Sequence, residues 1–108
     1  MCRRAHGAAF VTWVGVKRPD FRLVAGAEAL RTYRSSDAAM RRFCGHCGTM
    51  LFFEGERWAD EVHIARAMLE GEVPAPTAHV FWDDRVSWAE PHDSLPKKGG
   101  PSGNAPVG

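Results

Sequence analysis

Residues 41–54 read RRFCGHCGTMLFFE and carry two cysteines, each followed by glycine, between two runs suited to β-strands. Cys44 and Cys47 have two residues between them. The aromatic and aliphatic side chains after the second cysteine favour extended backbone, whereas glycine favours tight turns. The pattern therefore predicts a β-hairpin with both cysteines at its tip.

This cysteine turn has the spacing of a metal-binding knuckle. Thiolates in a Cys-x-x-Cys turn can both reach a tetrahedral ion at about 2.3 Å, and the glycines let the backbone fold beneath it. Zinc suits such a pair better than iron in a chain with no other redox pattern. A redox-active pair would be expected at a helix start in an α/β pattern, which this sequence lacks. The sequence therefore predicts zinc, with Cys44 and Cys47 as two of its ligands.

A closed zinc site needs four protein ligands, so the knuckle supplies half of one. The other candidates in the chain are Cys2, His6, His46, His63 and His79. Only Cys2 and His6 form a second closely spaced pair. A single histidine on a strand is more often a polar surface or core residue than a ligand, so the residue pattern leaves the remaining ligands open.

The composition describes one ordinary domain without a strong electrostatic field. The chain has 108 residues, of which 44% are hydrophobic and 25% charged, and its formal net charge is +1. We therefore expect no nucleic-acid or membrane partner. No apolar run approaches the roughly 20 residues of a membrane span, and residues 1–7 do not resemble a secretory signal. Three cysteines, two of them closely spaced, suit a reducing compartment, so a cytoplasmic location is expected.

The other segments predict a mainly β domain. Alternating or β-branched runs bounded by turn signals predict strands at residues 8–16, 61–66 and 79–82. Residues 21–24 and 29–34 are expected to form the arms of another hairpin, and residues 36–40 a single helical turn. From residue 90 onward, four prolines and four glycines with few apolar side chains predict a disordered tail. The expected division is a domain at 1–89 and a tail at 90–108.

Three parts of the chain together resemble the GFA family of glutathione-dependent formaldehyde-activating enzymes and the related CENP-V proteins. They are CRRAHGA at residues 2–8, FCGHCGT at residues 43–49, and His79 with Trp88. The resemblance runs in order over roughly residues 1–90. It implies coiled antiparallel sheets, called a β-tent, and two zinc sites. In that pattern Cys44 and Cys47 match the later pair of a four-thiolate site, and Cys2 matches the last cysteine of a three-thiolate site.

The chain departs from this pattern at its start. Because Met1 directly precedes Cys2, the early Cys-x-Cys and the first two cysteines of the three-thiolate run have no counterpart. Each implied site lacks two ligands, as expected for a fragment, a mis-started reading frame or a degraded relative.

The resemblance implies a carbon-sulfur lyase acting on glutathione adducts of small aldehydes. With its ligands incomplete, this chain is expected to be impaired, and no residue is assigned to catalysis or to substrate binding. The alternative is a non-catalytic, zinc-stabilised β domain for binding or assembly, with a metal site completed across a homodimer.

Overall fold

The computed structural model describes residues 1–107, which fall into two compact units. One unit is Thr12–Val73, and the other combines Met1–Val11 with the chain from Pro74 onward. No helix in the described residues is long and apolar enough to cross a membrane.

The first unit, which we call the sheet unit, is one antiparallel sheet. Its strands are β1 Trp13–Lys17, β2 Leu30–Ser36, β3 Ala39–Cys44, β4 Met50–Gly55 and β5 Glu61–Ala65. Their spatial order is β1-β5-β4-β3-β2, so β1 and β2 are the two edges. Short 3-10 turns occupy Arg18–Asp20, Ala27–Ala29, Glu56–Trp58 and Arg66–Met68. The expectation of a mainly β fold is confirmed, whereas the finer β-tent arrangement stays a prediction.

The core of the sheet unit forms where the central strands meet. Phe52 of β4 lies opposite Ile64 of β5, and Val62 lies opposite Val16 of β1. Phe52 is 6% exposed and Val62 is 2% exposed, and the ring of Phe21 packs against Phe52 with centroids 5.1 Å apart. Alternation places these side chains on one face of the sheet, where removing them from water stabilises the unit.

The hairpin predicted between residues 21–24 and 29–34 is wrong. Residues 21–24 are not a strand, and β2 pairs with β3 through a short turn at residues 37–38. The helical turn predicted at residues 36–40 is wrong for the same reason. Ser36 Oγ accepts a hydrogen bond from the Ala38 N–H at 3.2 Å and so supports the turn between two strands.

The second unit, which we call the loop unit, contains short elements only. They are the helix α1 Cys2–His6, a 3-10 turn at Trp82–Asp84, and a two-stranded ribbon of β6 Lys98–Gly99 and β7 Ala105–Pro106. The strand predicted at residues 79–82 is wrong, because only an isolated bridge between His79 and Lys97 forms there. Helix α1 is followed by Gly7, whose φ of 60° is the left-handed conformation common after helices.

Residues 90–107 make specific contacts inside the loop unit. The backbone N–H of Phe81 donates to the Gly103 carbonyl at 2.7 Å, and the Gly100 N–H donates to Asp83 Oδ2 at 2.7 Å. His79 Nε2 lies 2.9 Å from Asp93 Oδ2. The boundary at residue 90 and the disorder expected beyond it stay predictions, which truncation can test against these contacts.

Candidate metal centre

The cysteine turn joins two paired strands, as the sequence predicts. Cys44 is the last residue of β3, and β4 begins at Met50. The Cys44 N–H donates to the Thr49 carbonyl at 2.9 Å, and the Gly48 N–H donates to the Cys44 carbonyl at 2.7 Å. These two bonds close the loop on itself, so the hairpin holds both cysteines in one tight turn.

Packing at Gly45 and backbone conformation at Gly48 explain why both positions of the turn are glycine. Gly48 has a φ of 78°, a conformation that side-chain-bearing residues rarely adopt. At Gly45, an added Cβ would lie 2.8 Å from Cγ of Arg31 and 3.1 Å from the Ala29 carbonyl oxygen. The Gly45 N–H donates to that same carbonyl at 2.7 Å. The turn therefore packs directly against the start of β2, with no room for a side chain.

The local hydrogen bonds favour the thiolate at Cys47. Its Sγ lies 3.0 Å from Thr49 Oγ1. Hydrogen bonds from the Thr49 hydroxyl, then from the Thr49 backbone and then from the Cys44 side chain lower the pKa of the Cys47 thiol. Cys47 is exposed, whereas Cys44 is half-buried. The thiolate is the form of cysteine that binds metal, so this shift favours the form that a ligand needs.

The donor chemistry of the turn suits zinc, but the turn contributes two ligands only. Among residues 1–107, no three Cys, His, Asp or Glu side chains are grouped so that they could hold an ion. Cys2 lies in α1 of the loop unit, whereas Cys44 and Cys47 lie in the sheet unit. Cys44 and Cys47 could bind zinc through their sulfurs, because zinc accepts thiolates in a tetrahedral arrangement. No described group supplies the other two ligands of a closed site.

Two of the candidate histidines have other partners. His63 Nε2 lies 2.9 Å from Glu61 Oε1, and its ring contacts Trp58 with centroids 4.9 Å apart. In the loop unit His79 pairs with Asp93 and contacts Trp82 with centroids 5.2 Å apart. His63 on β5 and His79 outside the strands therefore each have a polar partner and an aromatic neighbour.

Sequence reasoning missed the contributions of Thr49 and Arg31 to this turn. Thr49 could have been found, because a hydroxyl two residues after a cysteine in a tight turn is within reach of its sulfur. Nothing in the sequence places Arg31 beside Gly45, since that contact depends on β2 pairing with β3.

Comparison with known families adds an independent finding. The family model described as glutathione-dependent formaldehyde-activating enzyme matches residues 1–84, which is 84 of the 108 residues. No curated protein matches the chain, and no solved structure does. The matched region includes both Cys2 and the whole cysteine turn, and the chain therefore belongs to the glutathione-dependent formaldehyde-activating (GFA) family.

Proposed function

We propose that this chain is a zinc-binding GFA-type domain in which Cys44 and Cys47 are two of the metal ligands. The observation that carries the proposal is the closed turn, in which two backbone hydrogen bonds hold both cysteines between β3 and β4. A turn fixed by backbone bonds orders both donors before metal arrives, which reduces the entropy lost on ligation.

The activity proposed for the family's intact site is carbon-sulfur bond formation and cleavage on glutathione adducts of small aldehydes. Its support is the family match. Zinc with an open position supplies a Lewis acid for a thiol-containing substrate. The residues of this chain contribute by holding thiolates: Cys44 and Cys47 in the turn, and Cys2, proposed as a ligand of a separate site, in α1. No residue is proposed to transfer a proton or to contact substrate.

A second candidate function is a non-catalytic zinc-stabilised domain for binding or assembly. The observation that favours it is the ligand count, because the described residues contain no third ligand grouped with Cys44 and Cys47. The turn is also exposed at Cys47, so thiolates from a second copy could reach the ion. This function predicts one zinc per two chains, with ligands from both copies.

The test compares zinc content and thermal stability for the wild type, Cys44→Ser and Cys47→Ser. Either variant is expected to lose bound zinc, and a strong chelator should lower the melting temperature of the wild type only, because ligation energy adds to folding energy. Cys2→Ser is the matched control, because it removes a thiol outside the turn and should leave the turn's zinc in place. Equal melting temperatures of wild type with and without chelator would contradict the proposal.

The 108-residue chain itself is expected to be inactive toward formaldehyde and glutathione, even when zinc is supplied. Catalytic zinc usually has three protein ligands, and Cys2 with His6 would provide two at most. The measurement is the rate of adduct formation with and without the chain. If the chain accelerates the reaction and Cys2→Ser abolishes the acceleration, then Cys2 supports catalysis and this expectation is wrong.

A further inference from the structure

The cysteine turn places two thiols close together in the chain, one of them exposed and the other half-buried. Neither Cys44 nor Cys47 is in a disulfide, and both lie in the turn that the bond from the Cys44 N–H to the Thr49 carbonyl closes at 2.9 Å. The glycines beside them and the backbone bond from Gly48 to the Cys44 carbonyl keep the turn narrow. Two thiols held this close need little backbone movement to join as a disulfide.

The two thiols differ in access to solvent. Cys47 is exposed, whereas Cys44 is half-buried at the end of β3. An external disulfide can therefore reach Cys47 first, and Cys44 is positioned to attack next from within the turn. This division of roles is the one that thiol–disulfide exchange requires of an attacking and a resolving cysteine.

A positive charge lies over the same turn. An added Cβ at Gly45 would lie 3.2 Å from Nε of Arg31, so the guanidinium borders the residue next to Cys44. Nη1 of Arg31 donates to the carbonyl oxygens of Glu28 at 2.9 Å and of Leu30 at 3.2 Å. These acceptors are neutral, so the bonds orient the guanidinium without cancelling its charge. The field at the turn therefore favours an anionic reagent.

We propose that Cys44 and Cys47 form a reversible disulfide by exchange with an anionic low-molecular-weight disulfide, and that the oxidised turn cannot hold zinc. The inference rests on the proposed function only in that zinc and oxidation compete for the same two sulfurs.

The thiol–disulfide exchange proceeds in two steps. The Cys47 thiolate attacks one sulfur of the external disulfide, its S–S bond breaks, and one thiolate leaves and takes a proton from solvent. Cys44 then loses its proton to solvent, and its sulfur attacks Sγ of Cys47 and releases the second thiol. Two cysteines are oxidised, and the external disulfide is reduced to two thiols.

The test treats the reduced, chelator-washed full chain with excess oxidised glutathione and locates the products by intact mass and peptide mapping. We expect a Cys44–Cys47 disulfide that dithiothreitol reverses, and slower closure when zinc is added first. Cys44→Ser should stop as a mixed disulfide on Cys47. Cys2→Ser, the matched control, should close like the wild type. A wild type that remains glutathionylated, or that pairs Cys2 with either cysteine, would overturn the proposal.

Replacing Arg31 tests whether its charge selects anionic disulfides. Arg31→Gln should slow reaction with oxidised glutathione by about threefold, because one screened charge near the turn is lost. Reaction with cystamine, a cationic disulfide, should not be slowed. Equal slowing with both reagents would overturn the preference for anions. Zinc content of the reduced chain, measured in parallel, separates the two ideas: a chain that closes its disulfide but binds no zinc contradicts the proposed function alone.

Discussion

Different interactions stabilise the sheet unit and the loop unit, each within itself. The buried hydrophobic side chains among the described residues are Phe52, Val62 and Ala65, and all three belong to the sheet unit. In the loop unit the buried positions include Gly99 and Gly103, and backbone hydrogen bonds connect its short segments. One unit is stabilised mainly by apolar burial, and the other by close backbone packing that leaves no room for side chains.

The same contrast appears in backbone conformation. Phe81 of the loop unit has a φ of 52°, which is unusual for a residue with a bulky side chain. Its ring lies where a Cβ at Gly103 would be, so the glycine is required by this contact. The sheet unit has its positive φ values at glycines only, among the described residues. A unit with little apolar burial therefore depends on a few exact backbone contacts.

The largest expected effect is a core substitution in the sheet unit. Phe52→Ala should reduce the free energy of unfolding by about 3–5 kcal/mol, because it removes a buried ring and leaves a cavity beside Phe21. Urea denaturation measures the change. Tyr33→Ala is the control, since Tyr33 is 61% exposed on the edge strand β2, and it should change stability by less than about 0.5 kcal/mol. Equal effects of the two substitutions on the free energy of unfolding would contradict the assignment of Phe52 to the core.

An intermediate effect is expected from deleting residues 91–108. The deletion removes the partners of His79, Phe81 and Asp83, so we expect the melting temperature to fall by a few degrees. Gly103→Ala should produce part of that fall, because the new Cβ overlaps the Phe81 ring and the residue has a φ of 74°. Calorimetry measures both. An unchanged melting temperature after the deletion would support the disordered tail predicted from composition.

The smallest effect is expected from pH. The hydrogen bond from His63 lowers the pKa of Glu61 in the sheet unit, and the backbone N–H of Leu95 followed by His79 lowers the pKa of Asp93 in the loop unit. A carboxyl group with a lowered pKa stabilises the folded state above its unfolded pKa, and this stabilisation is lost as pH falls through the folded value. Both contributions should therefore be complete above about pH 5 and decline below it.

Melting temperatures between pH 3 and pH 7 test this point. Glu61→Gln and Asp93→Asn should each flatten the acid side of the profile only slightly, because solvent screens exposed charge pairs. Profiles that retain the full wild-type slope in both variants would show that neither pair contributes to acid sensitivity.

Local patterns were sufficient where glycines mark the turn between two strands or where alternation is regular. The hairpin of β3 and β4 was predictable because the glycine-rich turn and the two strands are adjacent, and β5 was predictable from alternation. The cysteine pair was predictable for the same reason. Strand β2 was located correctly in part, but its partner was not, because alternation specifies a strand without specifying its neighbour.

The sequence by itself therefore determined the mainly β class, the cysteine turn and the family membership, since each is recognised from the residue types of segments and does not depend on which segments pair. The tertiary structure decided that β2 joins β3, that Arg31 lies over the turn, and that residues 96–107 bond with residues 79–83. Each of these contacts depends on which segments of the chain pair with each other. Their free energy depends on where the rest of the chain lies, and no local pattern of side chains encodes it.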